Sequence, residues 1–408
     1  MSPREFALEV TQRLQQAGFQ ALWAGGCVRD QMLGKEPKDY DVATNATPSQ
    51  ISETFGDRKT LELGVAFGVI TVIGTKESGN IEVATFRSDA DYSDGRRPDS
   101  VQFSTAEMDA QRRDFTINGL FLDPIRDQII DYVGGKNDLQ AGLVRAIGDP
   151  AQRIAEDKLR MLRAVRFAAN LDFQLDDATK ATIQRHAHEI HVVSVERMAV
   201  ELSRMLVNEH RRRAVELLIE TGLLENILPE LKSWQDDSVA RDQVLTQLAA
   251  LVDPGFAVAL AALLEKSVSV KEFKRLGKRL KLPNQVIDHG AWILKHASTL
   301  ADAHEKPWSE IQPLLIQPEV QDAICFMKAR SADRNSIEFM KERLSWPPEK
   351  LNPAPLLNGD TLRDLGIEVG PIYAEILTKT RNQQLNGQIS TQAEAIALAK
   401  QWAGLGSQ

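Results

Sequence analysis

The chain has 408 residues, 43% hydrophobic and 26% charged, a balance that excludes disorder and suits two or more folded domains. A net charge of −8 argues against a protein that coats nucleic acid along its whole surface, since phosphate binding needs concentrated lysine and arginine. Cys27 and Cys325 are the only cysteines, which excludes a disulfide framework or a zinc cage and points to a reducing, cytoplasmic setting without a membrane partner.

The opening segment mixes charged with apolar residues, and no later stretch reaches the apolar length of a membrane span. The first third alternates strand-like and helix-like runs. Short segments rich in β-branched or aromatic residues, at 19–25, 40–44, 67–75, 80–87 and 120–124, predict one small mixed sheet. A helix should begin at Thr47, with Pro48 in the first helical position and Gln50 closing a capping box. The polar segment 88–105, with Gly95, Arg96, Arg97 and Pro98, reads as a mobile loop.

From Pro150 the apolar residues Ile154, Leu159, Leu162, Val165 and Phe167 predict one long helix with a single buried side. Helical patterns then run to the end, with breaks at 228–238, 252–256, 281–285 and 346–360. The fold class is therefore α+β: a small mixed-sheet head followed by an all-α neck, body and tail. Two basic clusters, His210–Ala214 and Val270–Pro283, suit either nucleic-acid phosphates or a solvated helix face. In the second, Lys274, Arg275 and Lys278 are the RNA-binding candidates.

Within "AGGCVRDQMLGKEPKDYDVATN" (24–45), a glycine turn and a helix start precede two alternating aspartates. Gly25 and Gly26 let backbone N–H groups approach an anion, and Arg29 in the following helix can clamp a phosphate or pair with Asp30 or Glu36. Asp39 and Asp41 flank Tyr40 on a predicted strand, so both carboxylates leave one face, roughly 7 Å apart at the backbone. Such a pair either ligates a hard divalent cation, Mg²⁺ being favoured, or stands solvated.

Double glycine, a spacer of about a dozen residues and Asp-x-Asp together resemble the polymerase-beta nucleotidyltransferase superfamily. "RRDFTINGL" (112–120), "DYVGGKNDLQAGLVRAIGDP" (131–150) and "EDKLRMLRAVRFAA" (156–169) are similar, in order, to motifs of class II CCA-adding tRNA nucleotidyltransferases and bacterial poly(A) polymerases. "SVERMAVELSRML" and "PLLNGDTLRDLGIEVGPIYAEIL" extend the resemblance over nearly the whole chain. It implies a catalytic head over 1–138, a helical neck with the base-recognition helix over 139–205, a body over 206–345 and a tRNA-binding tail over 346–408.

The implied reaction is attack of an RNA 3′-hydroxyl on the α-phosphate of CTP or ATP, with Mg²⁺ held by Asp39 and Asp41 as catalytic residues. Glu82 is a candidate third ligand, an edge-strand glutamate in solvent being the alternative. Arg113, Asp114 and Asn118 would read the ribose, and Arg163 would join the nucleotide site. Asp157 and Arg160, three apart on the predicted helix, would accept from the exocyclic amine and donate to the ring nitrogen of C or A, with Glu156 orienting Arg160. G and U present the opposite pattern.

The leading reading is addition of C, C and A to tRNA. An enzyme adding only the terminal A and a poly(A) polymerase remain open, although the end "AKQWAGLGSQ", uncharged after Lys400, lacks the basic extension of the latter. A non-catalytic RNA-binding protein on the same scaffold is the alternative of another class. No His-Asp dipeptide occurs, so the phosphohydrolase domain of some relatives is not expected. The oligomeric state is not legible.

Overall fold

The structure is a computed structural model that describes residues 1–56, 59–64, 68–89, 101–235, 237–331 and 333–405. The chain forms two compact units, Met1–Lys232 and Ser233–Gln408.

In the first unit, α1 (Pro3–Gln16) starts in a Ser2–Glu5 capping box and buries Ala7, Val10, Thr11 and Leu14, one stripe at helical spacing. There follow β1 (Ala21–Ala24), α2 (Gly26–Met32), β2 (Asp41–Thr44), α3 (Pro48–Phe55), β3 (Thr60–Gly64), β4 (Val69–Val72) and β5 (Ile81–Thr85). Thr47 caps α3 with the capping box that its sequence predicts. Next come β6 (Arg87–Asp89), β7 (Val101–Phe103), α4 (Ala106–Gln111), β8 (Leu120–Asp123) and β9 (Gln128–Asp131).

Seven strands form a mixed sheet in the order β3-β4-β5-β2-β1-β8-β9. Only β2 and β5 pair in parallel; the other neighbours are antiparallel. Its core includes Leu22, Ala24, Ala43, Phe86 and Phe121, closed by Ala106 and Ala110 of α4. Trp23 is fully buried beneath α1, its Nε1–H donating to Thr11 Oγ1 at 3.2 Å. The strands β6 and β7 pair with each other, so the ends of the segment expected to be a loop are a two-stranded ribbon. Residues 90–100 of that segment, including Arg96 and Arg97, lie outside the described residues.

The sheet passes into helices: α5 (Gly135–Gln140), β10 (Leu143–Val144), α6 (Pro150–Glu156), α7 (Leu159–Leu171), β11 (Gln174–Leu175), α8 (Asp177–His186), α9 (Val195–Leu206), α10 (Arg211–Glu220) and α11 (Leu223–Ile227). The long helix expected from Pro150 is two helices. Asp157 between them is extended, φ −149° and ψ 106°, and its carboxylate caps the Leu159 N–H at 3.0 Å. A short acidic side chain competes with the backbone for that donor, which apolar periodicity does not register.

The second unit is helical: α12 (Ser238–Ala250), α13 (Phe256–Leu264), α14 (Val270–Arg279), α15 (Asn284–Ala301), α16 (Trp308–Leu315), α17 (Val320–Ala329), α18 (Arg334–Leu344), α19 (Pro348–Leu351), α20 (Gly359–Asp364), α21 (Pro371–Leu385) and α22 (Gln392–Trp402). Its helices stop at the predicted breaks and also between α13 and α14, α15 and α16, α16 and α17, α17 and α18, α20 and α21, and α21 and α22, while α19 forms inside the break expected over 346–360. Buried Phe273, Leu276 and Gly277 seat α14 on α15, leaving Lys274, Arg275 and Lys278 exposed. A Cβ at Gly277 would lie 2.6 Å from Ile287 Cγ1, so glycine permits this close helix crossing. No helix among the described residues is long and apolar enough to cross a membrane.

Candidate active site

The site begins where β1 turns into α2. Gly25 has φ +72°, so its backbone conformation selects glycine, and a Cβ there would stand 2.9 Å from Arg113 Nη1 and push on the end of that side chain. Its N–H donates to the Leu120 carbonyl at 3.0 Å, tying the turn to β8. Gly26 opens α2, which carries Arg29 inward. Arg29 Nη1 donates to Asn118 Oδ1 at 2.6 Å while Nη2 pairs with Asp30 at 2.7 Å. The surface pair and the inward contact therefore coexist.

Asp41 is the first residue of β2 and pairs in register with Glu82 on β5. Residues level in a parallel pair point to the same face, so these two carboxylates are neighbours. Asp39 is not on the strand. The pairing of β2 with β1 starts at Val42 opposite Trp23 and β1 gives way to the glycine turn, so no ladder reaches Asp39, which is exposed ahead of the strand. Tyr40 between them is buried against Trp23, ring centroids 4.8 Å apart. Although Asp41 reaches solvent, the wall around it desolvates the carboxylate and raises its pKa. Glu82 and Asp39 add repulsion, and Arg113 offsets part of it.

Arg112 and Arg113 follow α4, and both are held by a residue that sequence reasoning missed. Asp109, 1% exposed, bonds Arg112 at 2.7 Å and Arg113 at 2.9 Å. Burial alone would raise its pKa; Arg113 and Arg112 outweigh burial and lower it. The signal was present as i,i+3 and i,i+4 spacing in "DAQRRD". Asp114 is buried and saturated: Oδ1 accepts from Asn118 Nδ2 at 3.0 Å and from the Phe115 N–H at 2.8 Å, while Oδ2 accepts from Arg163 Nε at 2.8 Å and Nη2 at 2.5 Å. Desolvation pushes its pKa up, but Arg163, the Asn118 and Arg163 hydrogen bonds and Arg160 hold it at about 2. Asp114 thus ties the head to α7 before any sugar is bound.

Asp157 and Arg160 do not share a helix, contrary to expectation: Asp157 lies in the break and Arg160 in the first turn of α7. Glu156 ion-pairs with Arg160, whose Nη1 also donates to the Arg153 carbonyl at 2.9 Å and whose Nη2 donates to the Arg112 carbonyl at 3.3 Å. The Arg160 Nε–H has no partner among the described residues. Arg197 of α9, also missed, grips Asp157 with both terminal nitrogens, at 3.2 and 2.7 Å. Phe167 lies among three guanidiniums, those of Arg166, Arg29 and Arg163, at 4.0, 5.1 and 5.2 Å from its ring centre.

These groups face one cavity of about 480 Å³, which the glycine turn, Asp41, the ribose-reading candidates, Asp157, Arg160 and Arg163 line together with Arg112 and Phe167. Asp39, Glu82 and Glu156 are not part of its lining. Lys274, Arg275 and Lys278 belong to the other unit.

A family model described as the poly A polymerase head domain matches residues 21–145, and one described as a probable RNA and SrmB-binding site of polymerase A matches 172–235. The CCA-adding enzyme of Geobacillus kaustophilus (strain HTA426) is 33% identical over 97% of this chain and 96% of its own length. That of Geobacillus thermodenitrificans (strain NG80-2) is 34% identical over the same shares. The chain belongs to the CCA-adding enzyme family. A crystal structure of the Bacillus stearothermophilus CCA-adding enzyme in complex with CTP superposes with a TM-score of 0.78 at 30% identity, covering 98% of both chains. The mixed-sheet head and helical remainder are the architecture of this family, and the head is a nucleotidyltransferase domain.

Family membership carries a dependence on a divalent metal ion. Asp41 and Glu82 offer hard oxygen donors whose mutual repulsion a cation would relieve. Among the described residues no group of three or more His, Cys, Asp or Glu side chains could enclose an ion. The donor set therefore fits an open site that substrate oxygens complete.

Proposed function

We propose that this chain appends C, C and A to the 3′ end of tRNA, drawing on CTP and ATP in one cavity. The observation that carries the proposal is the convergence of Asp41, the Gly25–Gly26 turn, Asp157 and Arg160 on one space large enough for a nucleotide. The full-length likeness to enzymes named for this activity supports it.

The RNA 3′-oxygen forms a bond to the α-phosphorus, the bond to the β-phosphate breaks, and pyrophosphate leaves. Asp41 would hold Mg²⁺ together with Asp39 or Glu82, and substrate oxygens would complete the shell. When bound, Mg²⁺ supplies charge neutralisation at the reacting phosphate and lowers the pKa of the attacking hydroxyl. The Gly25–Gly26 turn and Arg29 receive phosphate oxygens; Arg113, braced by Asp109, meets the ribose, and Asp114 and Asn118 would join it by exchanging one of their present bonds for a sugar hydroxyl. Arg163 draws the α7 side of the pocket onto Asp114.

Base choice falls to Asp157 and Arg160. Asp157 accepts from the exocyclic amine of C or A, and Arg160, held by Glu156, offers its Nε–H to the adjacent ring nitrogen. With G or U, acceptor faces acceptor and donor faces donor, costing on the order of 1–3 kcal/mol per unmet buried group.

In this reading 1–138 and 139–205 perform the chemistry, while 206–345 and 346–408 hold the tRNA in the cytoplasm, with Lys274, Arg275 and Lys278 on phosphates. Purified protein given tRNA that lacks CCA and labelled nucleotides should incorporate C, then C, then A, and stop. Incorporation of A alone identifies an A-adding enzyme, a long A run a poly(A) polymerase, and equal use of GTP or UTP overturns the base-reading assignment.

A further inference from the structure

We infer that Arg197 is a positioning residue that makes the Asp157 carboxylate selective, by preventing it from turning away from a mismatched base. The inference rests on Asp157 and Arg160 reading the base.

Because Asp157 lies outside both α6 and α7, no helix fixes its side chain. Its orientation comes from three bonds. Oδ1 accepts from the Leu159 N–H at 3.0 Å and from Arg197 Nη1 at 3.2 Å, while Oδ2 accepts from Arg197 Nη2 at 2.7 Å. A two-pronged guanidinium fixes both the direction and the plane of a carboxylate, which one backbone bond cannot do. Oδ1 then has both acceptor positions filled and Oδ2 has one left. That remaining position is the one available to an exocyclic amine.

The anchor is itself fixed. One helical turn beyond Arg197, Glu201 is buried and bonds Arg166 of α7 at 2.5 Å, so α9 carries two ionic contacts on one face, one to α7 and one to the break that precedes it. Met198, Leu202 and Met205 are buried around them. Arg197 therefore acts from a packed helix.

Selectivity needs this rigidity. Against uracil, whose carbonyl stands where cytosine presents its amine, a free carboxylate could rotate and escape the repulsion, whereas a clamped one must meet it. Arg197→Gln keeps a hydrogen-bonding side chain but loses the charge and the fork. We expect its preference for CTP over UTP, measured as the ratio of kcat/KM on tRNA lacking CCA, to fall about tenfold or more, with UTP use rising in absolute terms. Arg197→Lys should recover part of the ratio.

The same measurements on Asp157→Ala separate the two layers. If Asp157→Ala collapses the ratio while Arg197→Gln and Arg197→Lys preserve it and merely lower the melting temperature, Arg197 has only a structural role and the inference is wrong. If Asp157→Ala also leaves the ratio intact, the base-reading assignment fails, and the inference with it.

Discussion

Asp41→Asn should lower kcat/KM for nucleotide transfer by roughly 10³-fold or more, yet yield a metal-free protein that melts at a higher temperature than the parent. The two effects share one origin. Desolvation, then Glu82 and Asp39, raise the pKa of Asp41, so the folded protein holds that proton more tightly than the unfolded chain does. Ionising Asp41 consequently costs folding stability above the ordinary carboxylate range, and the cost fades as pH falls toward it. Asparagine keeps the shape and removes the charge. The melting-temperature gap should be widest near neutral pH and narrow toward pH ~4, and Mg²⁺ should raise the melting temperature of the parent far more than that of the variant. A variant that retains transfer, or gains equally from Mg²⁺, contradicts the metal assignment. Because carboxylates repel phosphate, tRNA retention on a filter should survive the substitution.

Asp114→Asn should destabilise the first unit by roughly 2 kcal/mol or more, since it leaves the half-buried Arg163 guanidinium without its counter-charge and the buried Asp114 position without its ion pair. The acid limb supplies a second measurement. Folded Asp114 titrates at about 2, below its ordinary 3.8, so its contribution is complete above that ordinary value and is lost as pH falls through the folded one. Denaturation midpoints of parent and variant should therefore lie far apart at pH 6 and converge between about pH 4 and pH 2. A constant separation across that window would remove Asp114 as the titrating group. Nucleotide KM should rise as well, because Asp114 also orients Asn118 beside Arg29.

Sequence patterns reveal local features and contacts within one element; they lose those that join distant elements. The strands around Trp23, Val42, Val83 and Phe121 are legible from apolar and β-branched runs, and the start of α3 from Thr47, Pro48 and Gln50. The strand β9 is missed because Gln128–Asp131 is half solvated and only four residues long, its two isoleucines flanked by polar residues. At Asp157 the apolar period runs smoothly through a residue whose side chain ends the helix, so periodicity predicts continuity where capping chemistry imposes a break. Asp109 was readable from spacing on its own helix, but the Arg197–Asp157 pair joins residues 40 apart and appears only once α9 packs on α7. The glycine turn and Asp41 meet because β1 and β2 are neighbours in the sheet, a fact of topology.

The packing behind Asp41 also decides how the protein can be labelled. Cys27, 3% exposed, lies with its Sγ 4.0 Å from the Asp41 carbonyl, and desolvation pushes its thiol up to about 11. It stays protonated and sealed from alkylating reagents while the fold holds. Cys325, half-buried on α17 in the other unit, is the thiol a maleimide dye reaches first. A fluorescent reporter can thus be attached to native protein with no engineered cysteine and with the nucleotide pocket chemically untouched.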